Sequence, residues 1–327
     1  MKNLSVTRRT ALLSALAAGM PLAAQAAWPE RPLRWIVGFP PGGGTDVLAR
    51  LVAAALSPRL GQPVVIENRP GAASIIGAEA AAKAAPDGLT MLSADNGTVV
   101  FNPVLYRSLP YDPARDFRPV GLIGRISQVL SVGPSSSIRS VQELVERAKA
   151  APGTLNYASP GVGSPHHLTT ERLCRQMGIR MNHIPYRGSA PVLNDLLAGQ
   201  VEVAVVDMAA GGEYLRSGRI RPLAACQTER LADLPNVPTV DEALGLRGFD
   251  IFSFQALLVP RAVPDAVVDR LSTELSAVLQ DEAVRGRMVA SGIQPLGGGP
   301  AEYERVVAAD REVWVPLIHS LGITLDT

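Results

Sequence analysis

Residues 33–60 read LRWIVGFPPGGGTDVLARLVAAALSPRL, and this stretch decides the fold. The β-branched and aromatic run at 33–37 predicts a strand, and apolar residues at helical spacing predict a helix over 47–60. Between them, three consecutive glycines let the backbone approach a ligand closely and point N–H groups into one concavity. A strand, a glycine-rich loop and a helix in this order predict an α/β sheet with a ligand crevice at the carboxyl ends of its strands.

The alternation of strand and helix continues along the chain. Strands predicted at 64–66 and 91–94, with a helix over 75–85 between them, indicate a parallel sheet with right-handed crossovers. The alternation restarts at Ser140, which forms the sequence of a capping box with Glu143. Later strands are predicted at 155–158, 183–184, 203–206 and 223–225, and later helices at about 267–279 and 300–317.

The length of the chain predicts two lobes, because 327 residues exceed what one hydrophobic core usually covers. No low-complexity linker separates the two α/β units. We therefore expect strands near 126–132 and 249–259 to join them as a hinge. The predicted division is a signal peptide at 1–26, lobe 1 at 27–128 plus 251–327, and lobe 2 at 129–250.

The first 26 residues have the layout of a secretory signal peptide. Lys2, Arg8 and Arg9 form a positive start, an apolar run follows, and Ala24-Gln25-Ala26 is a small-x-small cleavage site. The paired arginines also match a twin-arginine signal incompletely, so both export routes stay open. The predicted location is the periplasm, with a soluble protein after cleavage.

Charge and composition exclude several functions. Removal of residues 1–26 takes three of the 31 basic residues and none of the 30 acidic ones, which leaves a net charge of −2 and does not favour nucleic acid. Four histidines without H-x-x-x-H spacing predict no metal site. Gly44 stands where a P-loop needs Lys, and Val47 where a dinucleotide motif needs Gly, so no cofactor is expected. Whether Cys174 and Cys226 pair stays open, since spacing alone does not place the thiols.

A second glycine-rich loop, SPGVGSPHH at 159–167, lies in the other unit. It follows a predicted strand, and Ser164 is the candidate helix cap, with Pro165 in the first helical position. One such loop in each lobe would hold an anion from opposite sides, because a helix N-terminus favours negative charge by about 0.3–1 kcal/mol. The alternative is that the first glycines only form a tight turn, with Thr45 or Asp46 as the cap.

Three polar residues near the ends of predicted strands are further candidates: Asp207, Asn96 and Tyr186. Asp207 also suits a helix cap, and Asn96-Gly97 is a common turn sequence. A hydrolase that uses Ser164, His167 and Asp207 is the alternative from another class, although no catalytic motif contains these residues.

Short motifs run through nearly the whole chain in a recognisable order. Besides WP at 28–29 and the two loops, they are ENRPGA at 67–72, PDG at 86–88, NPVLY at 102–106, LPYDP at 109–113, PYRG at 185–188, DLLAGQV at 195–201 and LPNVPT at 234–239. Together they resemble the substrate-binding receptors of tripartite tricarboxylate transporters, also called the Bug family.

The resemblance implies a periplasmic-binding-protein type II fold, with two α/β lobes joined by two crossover strands and closing on a ligand between them. In that family both glycine-rich loops hold a ligand carboxylate through backbone groups and bridging waters. Two segments depart from the family pattern, Ala73-Ser74-Ile75 and Phe252-Ser253-Phe254-Gln255. The candidate ligand-binding residues are Phe39, Pro41, Gly42, Gly43, Gly44, Thr45, Asp46, Asn96, Ser159, Gly161, Gly163, Ser164, His167, Tyr186 and Asp207.

The expected function is therefore that of a periplasmic receptor, and no enzymatic activity is expected. The receptor would capture a small carboxylate by lobe closure and pass it to membrane permease subunits. A monomer is expected, and a ligand sensor without a transport role stays open as an alternative.

Overall fold

The computed structural model describes residues 28–326, so the predicted signal peptide at 1–26 lies outside the described residues. The described chain contains ten strands: β1 (Leu33–Val37), β2 (Val64–Asn68), β3 (Thr90–Ala94), β4 (Phe117–Val132), β5 (Asn156–Ser159), β6 (Asn182–Pro185), β7 (Val203–Asp207), β8 (Arg221–Ala225), β9 (Phe252–Pro260) and β10 (Ile293–Pro295). They pair in the order β2-β1-β3-β9-β4-β7-β5-β6, and β8 and β10 also pair with β4.

The helices follow the strands in alternation, as the sequence predicts. They are α1 (Gly44–Leu60), α2 (Ile75–Ala82), α3 (Asn102–Leu105), α4 (Pro113–Asp116), α5 (Val141–Ala150), α6 (Pro165–Met177), α7 (Ser189–Leu197), α8 (Met208–Arg216), α9 (Val240–Leu244), α10 (Asp265–Gln280), α11 (Glu282–Ala290) and α12 (Pro300–Leu321). A π-helical turn, Gly97–Phe101, leads into α3.

Two groups of parallel strands form the two halves of the molecule. In the first half β1 lies between β2 and β3, and in the second β5 lies between β6 and β7, with parallel pairing throughout. The predicted parallel arrangement is confirmed. Because parallel strands end at one edge, the loops after β1 and β5 open toward a common crevice.

β4 joins the two halves. Its residues 117–127 pair with β9, and its residues 128–132 pair with β7. The chain returns just before β9, where the Ile251 N–H donates to the Cys226 carbonyl over 2.7 Å. Two α/β halves joined by two crossings are the predicted fold class. The lobe boundaries at 128/129 and 250/251 stay a prediction, which the change of partners along β4 supports.

Apolar helix faces hold the first half together. α1, α10 and α11 pack on the sheet around the fully buried Trp35. On α10 five of the six residues predicted to face inward are buried, including Leu271 and Leu275, and Val267 is half-buried. Each such leucine contributes roughly 1.5–3 kcal/mol by leaving water. This packing fixes the positions from which the loops reach the crevice.

Two local predictions differ from the structure. α1 begins at Gly44 rather than at residue 47, so the last glycine of the loop belongs to the first helical turn. Ser140 caps α5 by accepting from the Glu143 N–H over 3.1 Å, but the Glu143 carboxylate accepts from the Arg139 N–H instead of closing the box.

The structure also bears on the cysteines and on membrane insertion. Cys174 and Cys226 are both buried and unpaired. Of the helices in residues 28–326, none has both the length and the apolar character that a membrane span requires. Within the same residues no group of three or more His, Cys, Asp or Glu side chains suits a metal ion.

Candidate functional site

A pocket lies between the two halves, at the carboxyl ends of the strands. It holds about 480 Å³ of free space, counted out to its open mouth. Its wall consists of Phe39, Pro40, Gly43, Gly44, Thr45, Asp95, Ile126, Pro160, Ser164, Pro165, His166, Gly188, Ser189, Asp207, Ser253 and Gln255. Residues from both halves contribute, so this is the predicted crevice.

Four helices start at this wall: α1, α6, α7 and α8. The first N–H groups of a helix have no acceptor within the helix. Ser164 accepts from the His167 N–H on α6 (3.3 Å), and Asp207 accepts from the Ala210 N–H on α8 (2.7 Å). α1 and α7 begin after Gly43 and Gly188, which provide no side-chain cap. The N–H groups of these two helices are therefore available to a ligand.

Asp46 lies outside the pocket wall and holds the first loop in place by hydrogen bonds. Its carboxylate accepts from the Gly42 N–H (3.0 Å), from Arg50 Nε (3.0 Å) and from Asn68 Nδ2 (2.8 Å). Burial acts to raise the pKa of Asp46, but the hydrogen bonds from Arg50, Gly42 and Asn68 outweigh it and hold the pKa below its ordinary value. Asp46 is therefore an ionised support of the loop.

Close contact between the halves explains two of the glycines. A Cβ at Gly44 would lie 2.8 Å from Oδ1 of Asp207, across the pocket. A Cβ at Gly188 would lie 2.9 Å from Cγ of Pro40, and Gly188 also has a φ of +106°. Only glycine permits this approach without displacement of a neighbour.

The second loop is supported by two aromatic rings, of which His167 is buried and His183 is half-buried. The Gly163 N–H donates to Nδ1 of His167 over 3.1 Å, and Oγ of Ser159 lies 2.7 Å from Nε2 of His183. The rings of His167 and His183 stack with centroids 4.1 Å apart. Burial, with His183 beside it, lowers the pKa of His167 to about 3, and burial lowers that of His183 to about 4. A neutral His167 keeps its nitrogen free to accept from the loop.

His166, the neighbour of His167, is the histidine that reaches the pocket. Its Nε2 lies 3.2 Å from Oδ2 of Asp207. The other oxygen of Asp207 caps α8, so this carboxylate is engaged by its own half of the molecule. The triad that the alternative hydrolase would need is not assembled: Ser164 contacts the backbone of His167, while the imidazole of His167 accepts from the Gly163 N–H.

The electrostatics of the wall come from the backbone. The wall residues of the described chain include two carboxylates, Asp95 and Asp207, and neither Lys nor Arg. Burial raises the pKa of Asp95, although its hydrogen bonds with Thr98 oppose that shift. Positive potential is therefore supplied by the helix N-termini, which suits one small anion.

The structure brings together about half of the predicted residues. The inner wall contains Phe39, Gly43, Gly44, Thr45, Ser164 and Asp207. An adjoining outer cleft of about 1290 Å³ adds Gly161 and Tyr186, whose hydroxyl donates to Asp195 over 2.6 Å. Seven predicted residues line neither the pocket nor the outer cleft of the described chain: Pro41, Gly42, Asp46, Asn96, Ser159, Gly163 and His167.

Several wall residues were not predicted: Asp95, Ile126, His166, Gly188, Ser189, Ser253 and Gln255. Asp95 is beside the predicted Asn96, whose own side chain is bonded to Asp310 and to the Phe254 N–H. Ser253 and Gln255 alternate on a strand, so both side chains lie on one face. The sequence shows this alternation, but it does not show that this face of the strand lines the pocket.

The fold and this pocket define a two-lobed solute-binding receptor. The chain belongs to the tripartite tricarboxylate transporter receptor family, whose profile, described as "Tripartite tricarboxylate transporter family receptor", matches residues 48–323. The predicted family and fold class are confirmed, and the family is one of solute-binding receptors rather than enzymes.

Individual relatives agree. The chain is 35% identical to the protein BugT of Bordetella pertussis over 326 residues, which cover 98% of this chain and 100% of BugT. The structure of R. palustris Rpa4515 with adipate is similar with a TM-score of 0.87 and 37% identity, over 92% of this chain and 100% of that one. MatC from Rhodopseudomonas palustris with bound malate has a TM-score of 0.84 and 30% identity, over 89% of this chain and 100% of that one.

Proposed function

We propose that this chain captures a small organic acid by its carboxylate and delivers it to the permease subunits of a tripartite-type transporter. One observation carries the proposal: α1 and α7, one from each half, start at the same pocket wall after glycine caps. Glycine satisfies no N–H group by a side chain, so a ligand oxygen takes that place.

The energies suit a carboxylate. A hydrogen bond to a charged group contributes about 1.5–3 kcal/mol, and a partly buried helix N-terminus adds up to about 2 kcal/mol. Water-bridged contacts are nearly as favourable as direct ones, so the pocket does not need an arginine. The adipate and malate in the two similar structures are both carboxylates, which supports the same ligand class here.

Capture would occur by closure of the halves about β4. Gly44 and Asp207 come from different halves and approach closely, so in this proposal their contact would form as the halves close. A ligand drives closure only by its greater affinity for that arrangement. The closed form would then be the one that the permease recognises.

The proposed location is the periplasm, reached through the signal sequence at 1–26, and the proposed mature form is a monomer. N-terminal sequencing of the chain from a periplasmic extract tests the first point. Mature protein that begins at Ala27 supports export with cleavage, and an intact Met1 in that extract contradicts the cleavage site.

A thermal-shift screen of refolded, ligand-stripped mature protein tests the function. The panel contains mono-, di- and tricarboxylates with the neutral amide of each as a matched control. A ligand at 100 times its Kd stabilises the fold by about 2.7 kcal/mol. A shift with an acid that its amide does not produce supports the proposal, whereas shifts from neutral compounds alone contradict the carboxylate site.

A further inference from the structure

The wall formed by β9 contains a polar atom without a partner. Ser253 and Gln255 are 6% and 1% exposed and both line the pocket. Nε2 of Gln255 donates to Oγ of Ser253 over 3.1 Å. Oε1 of Gln255 has no hydrogen-bond partner among residues 28–326. A buried acceptor without a donor is unfavourable, so its retention at a pocket wall indicates that it binds something there.

A second wall residue also has a polar atom without a partner. Nε2 of His166 lies 3.2 Å from a carboxylate oxygen of Asp207, so that nitrogen donates to the carboxylate. Nδ1 also has no partner in the described chain. Oε1 of Gln255 is thus an unpaired side-chain acceptor at this wall, while the helix N-termini provide backbone donors.

This division of donors and acceptors constrains both ends of the ligand. A second carboxylate at the β9 wall would place an acceptor against Oε1 of Gln255, in a pocket that already contains two Asp side chains and no Lys or Arg. A hydroxyl at that point donates to Oε1 and leaves no group unpaired. Because only the hydroxyl can donate to Oε1, the wall favours a hydroxyl over a carboxylate at the end of the ligand distant from the helix N-termini.

We propose that Gln255 is a specificity-determining residue that selects a monocarboxylate bearing a hydroxyl at its distal end. The inference rests on the proposed carboxylate site and extends it to the other half of the ligand.

Titration calorimetry on the mature protein tests the inference with acids matched in chain length. The probes are butyrate, ω-hydroxybutyrate and succinate, and hexanoate, ω-hydroxyhexanoate and adipate. We expect the hydroxy acid of the better-fitting length to bind about 10-fold or more tightly than the plain acid and the diacid of that length. A diacid that binds as tightly as its hydroxy acid overturns the inference.

Variants assign the preference to Gln255. Gln255→Met keeps the size of the side chain and should abolish the preference for the hydroxy acid, and Ser253→Ala, which removes the anchor of the amide, should reduce it. Gln128→Met is the matched control, because Gln128 is fully buried, also has an unpaired amide atom, and lies outside the pocket wall. We expect this control to keep the preference.

The outcomes separate the two proposals. If acids bind but Gln255→Met and Ser253→Ala keep the wild-type preference, the role of Gln255 is wrong and the carboxylate site stands. If no acid of either series binds while the panel of neutral amides does, the proposed function fails and this inference fails with it.

Discussion

Replacement of Gly44 by alanine should weaken ligand binding by obstructing closure. The added Cβ would lie 2.8 Å from Oδ1 of Asp207 and 3.0 Å from Cδ1 of Ile126. Asp207 does not move aside freely, because the same oxygen accepts from the Ala210 N–H at the start of α8. Crowding of this size in a packed region costs about 1–3 kcal/mol.

The cost applies to the closed arrangement, in which the halves touch. The affinity of Gly44→Ala should therefore fall by about 5- to 150-fold, while the Tm of the ligand-free chain changes much less. Titration calorimetry with the acid identified by the thermal-shift screen measures the first quantity, and a ligand-free melt measures the second.

Gly286→Ala is the matched control for this experiment. Gly286 lies within α11, and a Cβ added there would meet nothing within 4 Å. We expect wild-type affinity and equal or higher stability, since alanine is the better helix former. Wild-type affinity in Gly44→Ala, or an equal loss in both variants, would refute the role of Gly44 in closure.

The residues around the pocket can be tested by titration, by substitution and by thiol reactivity. His167, with its pKa lowered to about 3, stays neutral while the unfolded chain is protonated below about pH 6.5. As the pH falls from about 6.5 to about 3, the ring should therefore lower the unfolding free energy by up to about 1.4 kcal/mol per pH unit. Urea denaturation should show a weaker dependence of the unfolding free energy on pH for His167→Gln, and an equal dependence in both chains would contradict this prediction. Asp46→Asn should lose about 1–3 kcal/mol of unfolding free energy and bind acids more weakly, because an amide donor would face Arg50 and Asn68. An unchanged urea midpoint and an unchanged affinity would contradict the role of Asp46 as a support of the loop. Burial raises the pKa values of the Cys174 and Cys226 thiols to about 12, so both should resist a disulfide reagent in the native chain. In guanidinium the chain should react as two free thiols, whereas no reaction there would indicate a disulfide.

Local patterns were sufficient to predict the fold class. The run at 33–37, the glycines after it and the apolar face of α1 are each contained in one short stretch, and the structure forms a strand, a loop and a helix there. The spacing of Leu271 and Leu275 likewise predicted the buried face of α10. In such cases neighbours in sequence determine which side of an element is apolar.

The pocket side chains depend on contacts that are distant in sequence. His166 and His167 are adjacent on α6, and a step of one residue turns a side chain by about a quarter of a helical turn. Which of the two faces the pocket is decided by the stacking of His167 on His183 and by its bond from Gly163. Sequence spacing contains neither contact, and His167 rather than His166 was accordingly predicted as a ligand-binding residue.

The same reason applies to the β9 wall. Ser253 and Gln255 face the pocket because β9 pairs with both β3 and β4, which come from separate parts of the chain. Asp95 rather than Asn96 reaches the wall because Asn96 is bonded to Asp310 on α12 and to the backbone of β9. These are tertiary contacts that a strand or turn pattern does not contain.

Two glycine-capped helix N-termini, one from each half, are proposed to hold a single ligand carboxylate. A crystal structure of the mature chain with the acid identified by the screen tests this proposal most directly. We expect the carboxylate oxygens to lie at the first turns of α1 and α7, bonded to backbone N–H groups directly or through one water. A carboxylate bound by a Lys or Arg side chain, or bound outside the pocket between the halves, would contradict it.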